Sequence, residues 1–327
     1  MYYDSNVSSL RAAAVPPFRP EPATEPTVYV IGAANMDIWG TPEDELRTGD
    51  SNPGRIHLSP GGVGRNIAEN LSRLGRRVSL VTILGNDAYA EMIREHCRNT
   101  RIDLSCSFTD PLGRTSTYLC LNEKDGNLHA AVSDMSVCDQ LTPERLKPVL
   151  PALNRGSLLI ADANLPERTL EWIARNVKIP IAADPVSAVK APRLRPLLSR
   201  VVFLKPNLQE AEILTGIFSG GSLSRLADAL HALGTERIFL SLGPQGVWAD
   251  DGKDGELIPC APGSVVNTSG CGDAFVAAAA DAWLRGLGTM DCARRGLAAA
   301  AICAEDPAPV SPGMSREAIE LRTGMGF

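Results

Sequence analysis

The sequence predicts an α/β fold with a doubly wound, mostly parallel sheet flanked by helices. Short apolar runs rich in Val, Ile and Leu alternate along the chain with amphipathic stretches of helical period. Apolar runs of this kind are typical of parallel strands that are buried on both faces. Because strand and helix alternate repeatedly, we predict that the ligand crevice lies beyond the carboxyl ends of the strands.

Six apolar runs and six amphipathic stretches support this prediction. In residues 64–74, Ile67, Leu71 and Leu74 recur at helical spacing, and Gly75 supplies a C-terminal stop. The predicted strands are residues 27–31, 78–83, 158–161, 181–183, 201–204 and 238–242. The predicted helices are residues 64–74, 167–176, 209–215, 222–233, 273–284 and 292–304.

Two segments interrupt the alternation, at about residues 38–58 and 114–134. The first contains Pro, Gly and Asp turns around short extended pieces. In the second, Thr115, Thr117 and Leu119 alternate with Ser116 and Tyr118, which is typical of a half-exposed strand. We therefore predict a small β-sheet that projects over the crevice as a lid.

The remaining organisation of the chain is simple. Residues 1–26 contain several prolines and no continuous apolar segment, which predicts a disordered N-terminal extension rather than a signal peptide. Residues 27–327 then form one domain that includes both lid segments. The sequence has no run of about 18 apolar residues, so we expect no membrane partner. The net charge of −6 disfavours a nucleic-acid-binding surface.

The eight cysteines form no C-x-x-C pair, and no histidine lies at a metal-ligand spacing from them. Several lie in apolar runs, as Cys303 does, where Cys packs as a small core residue. Scattered cysteines of this kind are typical of reduced thiols. We therefore expect a cytoplasmic protein.

Residues 267–273 (NTSGCGD) directly precede an apolar helix. Glycines that enter a helix leave backbone N–H groups unpaired, and together with the helix dipole these groups favour an anion. Asp273 beside such a site suits a general base that accepts a proton from an attacking hydroxyl. The residues alone equally allow Asp273 to be an acidic residue that the dipole favours in a first helical turn.

A second glycine pair, Gly61 and Gly62, opens the helix that carries Asn66. Paired glycines let the backbone approach a ligand closely, and Asn66 in the first turn could bond a sugar hydroxyl. Asn35 and Asp37 follow the first predicted strand, where a carboxylate suits a diol. A tight turn and an Asx turn are the alternative interpretations of these two segments.

Two later segments also follow predicted strands. Asn207 and Glu210 begin a helix near the crevice, where Glu210 could organise Mg²⁺ through water. Ser241, Gly243 and Gly246 end another strand and could contact phosphates. For both segments the alternative is an N-cap and a turn.

Together and in this order, the motifs resemble the PfkB (ribokinase-like) carbohydrate kinase family. Its two signatures resemble residues 61–66 (GGVGRN) and 267–273, and its Asn-x-x-Glu element is similar to residues 207–210. The likeness extends over residues 28–304, nearly the whole chain beyond the N-terminal extension. The resemblance implies a ribokinase-like fold, ATP-dependent phosphorylation of a sugar or nucleoside, and ATP and Mg²⁺ as cofactors.

The resemblance also assigns a role to each candidate residue. Asp273 would be the catalytic base, and the backbone of Gly270, Cys271 and Gly272 would form the anion hole for the transferring phosphoryl group. The residues that would bind the substrate are Asn35, Asp37, Gly61, Gly62 and Asn66. The residues that would serve ATP and Mg²⁺ are Asn207, Glu210, Ser241, Gly243 and Gly246.

Within the family, four segments resemble the subgroup that phosphorylates the 5′-hydroxyl of pseudouridine: residues 50–54 (DSNPG), 61–66 (GGVGRN), 133–135 (SDM) and 184–187 (DPVS). A polar acceptor for the N1–H of the base would reject uridine, and the candidate residues for polar contacts with the base are Thr117, Asn164 and Lys190. One alternative is a kinase for another ribosyl substrate, such as ribose, adenosine, inosine or a sugar acid. The other is a non-catalytic regulator that binds a nucleoside or ATP.

Two positions depart from the family pattern. The family commonly has Asp where Asn267 stands and Ala where Cys271 stands. Cys271 should be tolerated because the backbone donates, whereas the missing carboxylate at Asn267 puts activation by K⁺ in question. Lids in this family often pair between subunits, which implies a homodimer through the lid.

Overall fold

The structure is a computed structural model and describes residues 26–218, 220–261 and 263–324. The predicted N-terminal extension, apart from residue 26, lies outside the described residues. The strands are β1 (Val28–Ile31), β2 (Asn35–Pro42), β3 (Gly54–Gly61), β4 (Val78–Val81), β5 (Ile83–Leu84), β6 (Ile102–Asp103), β7 (Phe108–Thr109), β8 (Thr117–Asn122), β9 (Leu128–Asp134), β10 (Leu158–Asp162), β11 (Ile181–Asp184), β12 (Val201–Leu204), β13 (Ile238–Ser241), β14 (Val247–Asp250) and β15 (Gly255–Ile258). The helices are α1 (Val63–Arg73), α2 (Ala88–Asn99), α3 (Pro143–Leu146), α4 (Leu150–Leu153), α5 (Glu167–Asn176), α6 (Leu208–Thr215), α7 (Leu223–Ala232), α8 (Cys271–Leu284), α9 (Thr289–Ala304) and α10 (Arg316–Thr323).

The central sheet, as far as the chain is described, has nine strands in the order β15-β14-β13-β12-β11-β10-β1-β4-β6. From β13 to β6 in this order, neighbouring strands pair in parallel. β14 and β15 add an antiparallel edge. The predicted α/β class with a mostly parallel sheet is confirmed.

Helices cover both faces of this sheet because its strands are apolar on both faces. Val28 and Val30 of β1 belong to a core cluster with residues of α1, α2, α8 and α9. Tyr29 and Ile31 belong to a second cluster with residues of α5, α6 and α7. A ligand can therefore reach the sheet only at the ends of its strands. In the ranges described, none of the helices is long and apolar enough to cross a membrane.

The small sheet predicted as a lid is confirmed as a four-stranded sheet of order β3-β2-β8-β9. β2 and β8 pair in parallel, and β3 and β9 pair antiparallel to them. Successive residues of a strand point to opposite faces, so the register places Asp37 and Tyr118 on one face and Ile38, Leu119 and Val132 on the other. The lid therefore has two faces of different chemistry.

Several elements differ from the sequence prediction, including short ones such as β6, β7, α3, α4 and α10, which were not predicted. Residues 78–83 form two strands, because the N–H of Thr82 bonds to Ser107 Oγ (3.1 Å) and β5 pairs with β7 outside the central sheet. The hairpin of β14 and β15 was not predicted, nor was α2. α2 buries only Ala90, Ile93 and Cys97, so its apolar stripe is too narrow to stand out in the sequence.

The packing of α8 against α9 generates a prediction about stability. A Cβ on Gly296 would lie 2.6 Å from the ring of the buried Phe275. We expect Gly296→Val to lower the free energy of unfolding by about 1–3 kcal/mol, the usual cost of overpacking a core, as measured by urea denaturation. Gly288→Ala is the control, because a Cβ on Gly288 meets nothing within 4 Å. Equal losses in the two variants would contradict this packing.

Candidate active site

The predicted anion site is the first turn of α8. Gly270 precedes this helix with a left-handed backbone (φ 79°), and a Cβ there would lie 1.9 Å from the carbonyl oxygen of Pro309. Only glycine fits such a position. The N–H of Cys271 turns back to the carbonyl of Thr268 (3.4 Å). The N–H groups of Gly272 and Asp273 have no partner within the helix, so they are the donors best placed for an anion.

Asp273 is buried in this turn, with 8% of its surface exposed. Its Oδ2 accepts a hydrogen bond from Asn66 Nδ2 at 2.7 Å. Burial raises the pKa of Asp273 to about 8, and the nearby Asp184 carboxylate adds to the effect, while Asn66, Lys205 and Arg65 oppose it. A carboxyl group with such a pKa can accept a proton and hold it near neutral pH.

Lys205 lies beside the same turn and was not among the predicted site residues. Its Nζ is 3.7 Å from Asp184 Oδ2 and 3.0 Å from the point where a Cβ on Gly272 would lie. Burial lowers the pKa of Lys205, but the carboxylates of Asp184, Glu210 and Asp273 outweigh it and raise the pKa above its usual value. A permanent cation therefore faces the anion site. Its position directly after the buried strand β12 could have indicated from the sequence that Lys205 lies at the site.

Asn35 and Asp37 begin β2, where the lid leaves the central sheet. Asn35 Nδ2 donates to Asp37 Oδ1 at 2.5 Å. Burial raises the pKa of Asp37 to about 6, against the effects of Asn35 and Arg65. The Arg65 charge lowers the pKa of both Asp37 and Asp273, which supports the prediction that the sugar residues and the base share one site.

Gly61 and Gly62 allow β2, β3 and α1 to meet at this site. A Cβ on Gly61 would lie 2.1 Å from Asp37 Oδ2, and one on Gly62 would lie 2.5 Å from the carbonyl oxygen of Ala33. Gly62 also has a positive φ of 99°. The tight turn that was the alternative interpretation is present, and it is also what brings Asn66 next to Asp273.

The three residues predicted to contact a base do not come together. Thr117 pairs with Met36, so the register turns its side chain to the lid face opposite Asp37. It lines a separate cleft with Tyr89 and Arg114. Asn164 and Lys190 bond to each other (Nζ to Oδ1, 2.6 Å) after β10 and β11.

An aromatic pair that was not predicted lies on the Asp37 face of the lid. Tyr118 pairs directly with Asp37 in the register. The rings of Trp39 and Tyr118 are 6.4 Å apart between centroids and meet edge to face at 76°. The sequence analysis placed Tyr118 on one face of an alternating strand but did not assign it to the site. Its position next to Asp37 depends on the pairing of β2 with β8.

The predicted ATP residues lie after β12 and β13. Asn207 and Glu210 form a capping box at the start of α6: Asn207 Oδ1 accepts from the N–H of Glu210 (2.8 Å) and Glu210 Oε2 accepts from the N–H of Asn207 (2.9 Å). Asn207 and Ser241 line one cleft with Leu208, Gln209, Leu242 and Gln245. Gly243 and Gly246 have positive φ and form the turn beside it. The N-cap interpretation is therefore correct, and it leaves room for a ligand contact.

Two cations implied by the resemblance can be tested against these residues. The described part of the chain has no cluster of three or more His, Cys, Asp or Glu side chains that could hold a metal. Mg²⁺ is usually held through one or two carboxylates, water and substrate phosphates, and Glu210 fits that limited role because its capping bond uses Oε2 alone.

K⁺ fits less well at the position of the family's carboxylate. Asn267 Oδ1 accepts from the N–H of Ser269 (2.9 Å), and Asn267 Nδ2 donates to the carbonyl oxygen of Pro307 (2.8 Å). K⁺ is held by oxygen atoms such as carbonyls. Here Asn267 Nδ2 already donates to the carbonyl oxygen of Pro307, and the N–H of Ser269 already donates to Asn267 Oδ1. Asn267 also lacks the carboxylate charge, so its side chain would be a weaker K⁺ ligand than the family's Asp.

Comparison with known proteins identifies the family. The profile of the pfkB family carbohydrate kinases matches residues 25–314. The chain belongs to this family. The match includes every residue discussed above as a candidate for the site, so the chain is an ATP-dependent kinase of the carbohydrate and nucleoside class.

Two relatives from Escherichia coli (strain K12) have the same identity to this pfkB family kinase. Its pseudouridine kinase is 36% identical, over 80% of this chain and 84% of its own length. Its "Uncharacterized sugar kinase YeiI" is 36% identical, over 88% of this chain and 81% of its own length.

Solved structures confirm the ribokinase-like fold. A carbohydrate kinase from Agrobacterium tumefaciens has a TM-score of 0.82 at 33% identity, covering 92% of this chain and 97% of the other. The ribokinase of Arabidopsis thaliana, complexed with ribose and ATP, has a TM-score of 0.81 at 24% identity, covering 92% and 99%. At that lower identity the likeness supports the fold alone.

The raised pKa of Asp273 predicts how its charge affects stability. The folded-state pKa of about 8 lies above that of an unfolded aspartic acid, so the folded protein holds the proton more tightly. The stability that the protonated Asp273 contributes is therefore fully present below about pH 4 and is lost as the pH rises through about 8. We expect the thermal midpoint of the wild type to fall relative to that of Asp273→Asn over this range. Asp228→Asn, on the exposed side of α7, is the control. A pH-independent difference between the wild type and Asp273→Asn would contradict the buried acid.

Proposed function

We propose that this protein transfers the γ-phosphoryl group of ATP to the 5′-hydroxyl of pseudouridine, forming pseudouridine 5′-phosphate. The observation that carries the proposal is the hydrogen bond from Asn66 to Asp273, which joins the sugar residues to the carboxylate at the anion site. The 36% identity to a pseudouridine kinase supports the choice of nucleoside. The equal identity to an uncharacterized sugar kinase makes substrate choice the quantity to measure.

In the proposed mechanism, Asp37 accepts hydrogen bonds from ribose hydroxyls and Asn66 fixes the sugar so that its 5′-hydroxyl reaches Asp273. Asp273 takes the hydroxyl proton as the 5′-oxygen attacks the γ-phosphorus, and the bond from that phosphorus to the β,γ-bridging oxygen breaks. Closure of the lid excludes water that would otherwise accept the phosphoryl group.

Donors at the α8 terminus would stabilise the charge of the transferring group. The N–H groups of Gly272 and Asp273 belong to the turn beside which the ammonium of Lys205 lies, and positioned donors of this kind are the main device of phosphoryl transfer. Asn207, Ser241, Gly243 and Gly246 would bind ATP. Mg²⁺, organised by Glu210 through water, would neutralise phosphate charge when bound.

The aromatic pair on the lid favours a nucleoside over a free sugar. Trp39 and Tyr118 lie next to Asp37 on the same face, where a base attached to the bound ribose could stack on a ring. Asn164 and Lys190, at the carboxyl ends of β10 and β11, remain our candidates for polar contacts with the base. Tyr118 replaces Thr117 as the candidate on the lid.

A ribose kinase is the second candidate. The ribokinase of Bacillus subtilis is 28% identical over 79% of this chain, and Asp37, Gly61 and Asn66 would hold ribose as well as the ribose of a nucleoside. The two candidates differ in what the lid contacts, since ribose has no base for Trp39 and Tyr118.

A substrate panel tests the proposal. Pseudouridine, uridine, adenosine and ribose are compared in an ATP-coupled assay with Mg²⁺, with and without K⁺. We expect kcat/KM for pseudouridine to exceed that for uridine by up to about 10⁴-fold, because a site built for N1–H rejects the analogue without it. We expect no activation by K⁺, and Asp273→Asn should lower kcat by about 10²–10⁴-fold.

Asp228→Asn is the matched control for Asp273→Asn and should retain full activity. Better turnover of ribose or adenosine would replace pseudouridine but keep the kinase. No turnover of any substrate by the wild type would favour the regulator, and full activity in Asp273→Asn would exclude Asp273 as the base.

We also propose that the protein is a homodimer through the lid. The lid face opposite Asp37 carries exposed apolar side chains from three of its four strands, β3, β8 and β9: Ile56, Leu58, Leu119, Leu121 and Val132. Monomeric proteins rarely expose a contiguous patch of this kind. In a two-fold dimer the same patch of each subunit contacts the other. This apolar face could therefore pack against its own copy.

Charged substitutions on that face should dissociate the dimer. We expect Leu119→Asp and Val132→Glu to give monomers by size-exclusion chromatography with light scattering, because each would bury an unpaired carboxylate in the interface. Leu321→Glu, at an exposed position of α10 (86%), is the control and should stay dimeric. A wild-type protein that is monomeric at micromolar concentration would refute the interface.

A further inference from the structure

Arg65 is a cation in an environment that disfavours one. Its side chain is 2% exposed and ranks first by volume among the fully buried side chains of the described residues. It also lies in the first turn of α1, where the helix dipole opposes positive charge. Burying a guanidinium costs several kcal/mol unless its donors are bonded, so its contacts indicate what it does.

The guanidinium bonds to two different parts of the site. Nη2 donates to the carbonyl oxygen of Pro60 (2.7 Å) and to Asn66 Oδ1, and Nε donates to the carbonyl oxygen of Gly61 (3.4 Å). Pro60 and Gly61 are the last residues of the lid strand β3. One rigid group therefore connects the end of the lid to the side chain that bonds Asp273.

The bond to Asn66 decides which way its carboxamide faces. Arg has donors only, so the atom of Asn66 that faces it must be the oxygen. The amide nitrogen then points at Asp273, to which it donates at 2.7 Å. With the carboxamide reversed, its oxygen would face the carboxylate and the hydrogen bond would be lost.

A carboxylate keeps the guanidinium in this place. Nη1 of Arg65 pairs with Glu69, which is equally buried and also accepts two bonds from Arg73 (2.9 and 2.7 Å). His96 Nε2 is 2.8 Å from Glu69 Oε2 and 3.2 Å from Arg65 Nη1. Burial raises the pKa of Glu69, but His96, Arg65 and Arg73 outweigh it and hold the pKa at about 2.

We infer that Arg65 is a positioning residue of the kinase: it orients the Asn66 carboxamide toward Asp273 and ties that orientation to the end of lid strand β3. This inference rests on the proposed role of Asp273 as the base. It goes beyond that role because, among the described residues, the hydrogen bonds of Arg65 go to backbone carbonyls, Asn66, Glu69 and His96, so Arg65 would act through Asn66.

The test is the titration of Asp273 itself, followed by carbon-13 NMR of labelled aspartate carboxyls, with the signal assigned by its loss in Asp273→Asn. The charged groups that face Asp273 are Asp184, Lys205 and Arg65. Arg65→Lys keeps the charge, but one ammonium cannot reproduce the fork of donors. We expect the pKa of Asp273 to rise by about one pH unit and kcat/KM at neutral pH to fall about tenfold, with the KM for ATP unchanged.

Arg73→Lys is the matched control, because Arg73 bonds to the same Glu69 but makes no contact with Asn66 among the described hydrogen bonds. It should leave the pKa of Asp273 and kcat/KM unchanged. A folded Arg65→Lys protein with the wild-type titration and activity would overturn the inference.

A variant that does not fold and a wild type without activity would lead to different conclusions. If Arg65→Lys does not fold, Arg65→Gln replaces it in the experiment. Arg65→Gln removes the buried charge and leaves Glu69 paired with Arg73 and His96. An unchanged pKa of Asp273 in Arg65→Gln would also overturn the inference. If the wild type phosphorylates none of the substrates, the proposed function fails. The NMR titration still decides whether Arg65 orients Asn66, because it needs no turnover.

Discussion

The structure of the site depends on one constraint, the direct approach of the start of α1 to the turn after β1. A Cβ on Gly64 would lie 2.9 Å from the backbone of Gly32, and one on Gly62 would lie 2.5 Å from the carbonyl of Ala33. The buried carboxylate of Asp162 holds the same turn by accepting from the N–H of Ala33 (2.9 Å). With side chains at these positions the segments would separate, and Asn66 would no longer reach Asp273.

Charge at this site is organised at a cost to stability. Burial raises the pKa values of Asp37 and Asp162 to about 6 and that of Asp273 to about 8. The buried cations Lys205 and Arg65 reduce the cost of ionising Asp273 without removing it. Strongly shifted carboxyls that converge at a cleft are typical of functional sites, and their unfavourable ionisation is the reason that a proton can move to Asp273.

In the proposed dimer the lid would connect substrate binding with assembly, because its strands have two faces of different chemistry. One face carries Asp37 with Trp39 and Tyr118, and the other carries apolar side chains such as Leu119 and Val132. Period-two alternation makes this division unavoidable, since each residue on one face is followed by one on the other. Closure over a substrate and pairing with a second subunit would therefore restrain the same four strands.

The sequence by itself determined the fold class, the family and the chemistry of the main motifs. Buried parallel strands are recognisable because both of their faces are apolar, and glycine motifs because few other residues allow positive φ or such close backbone contact. These signals are local, so strand 201–204 and helix 167–176 could be predicted at their observed bounds.

Only the tertiary structure decided which polar residues meet. Asn66 and Asp273 are 207 residues apart, and nothing local in either segment records the other. Thr117 was predicted at the base site and Tyr118 was not, because the pairing of β8 with β2 decides which of two adjacent residues shares a face with Asp37. Lys205 and Arg65 were not among the predicted site residues, because their roles depend on carboxylates and carbonyls supplied by other segments.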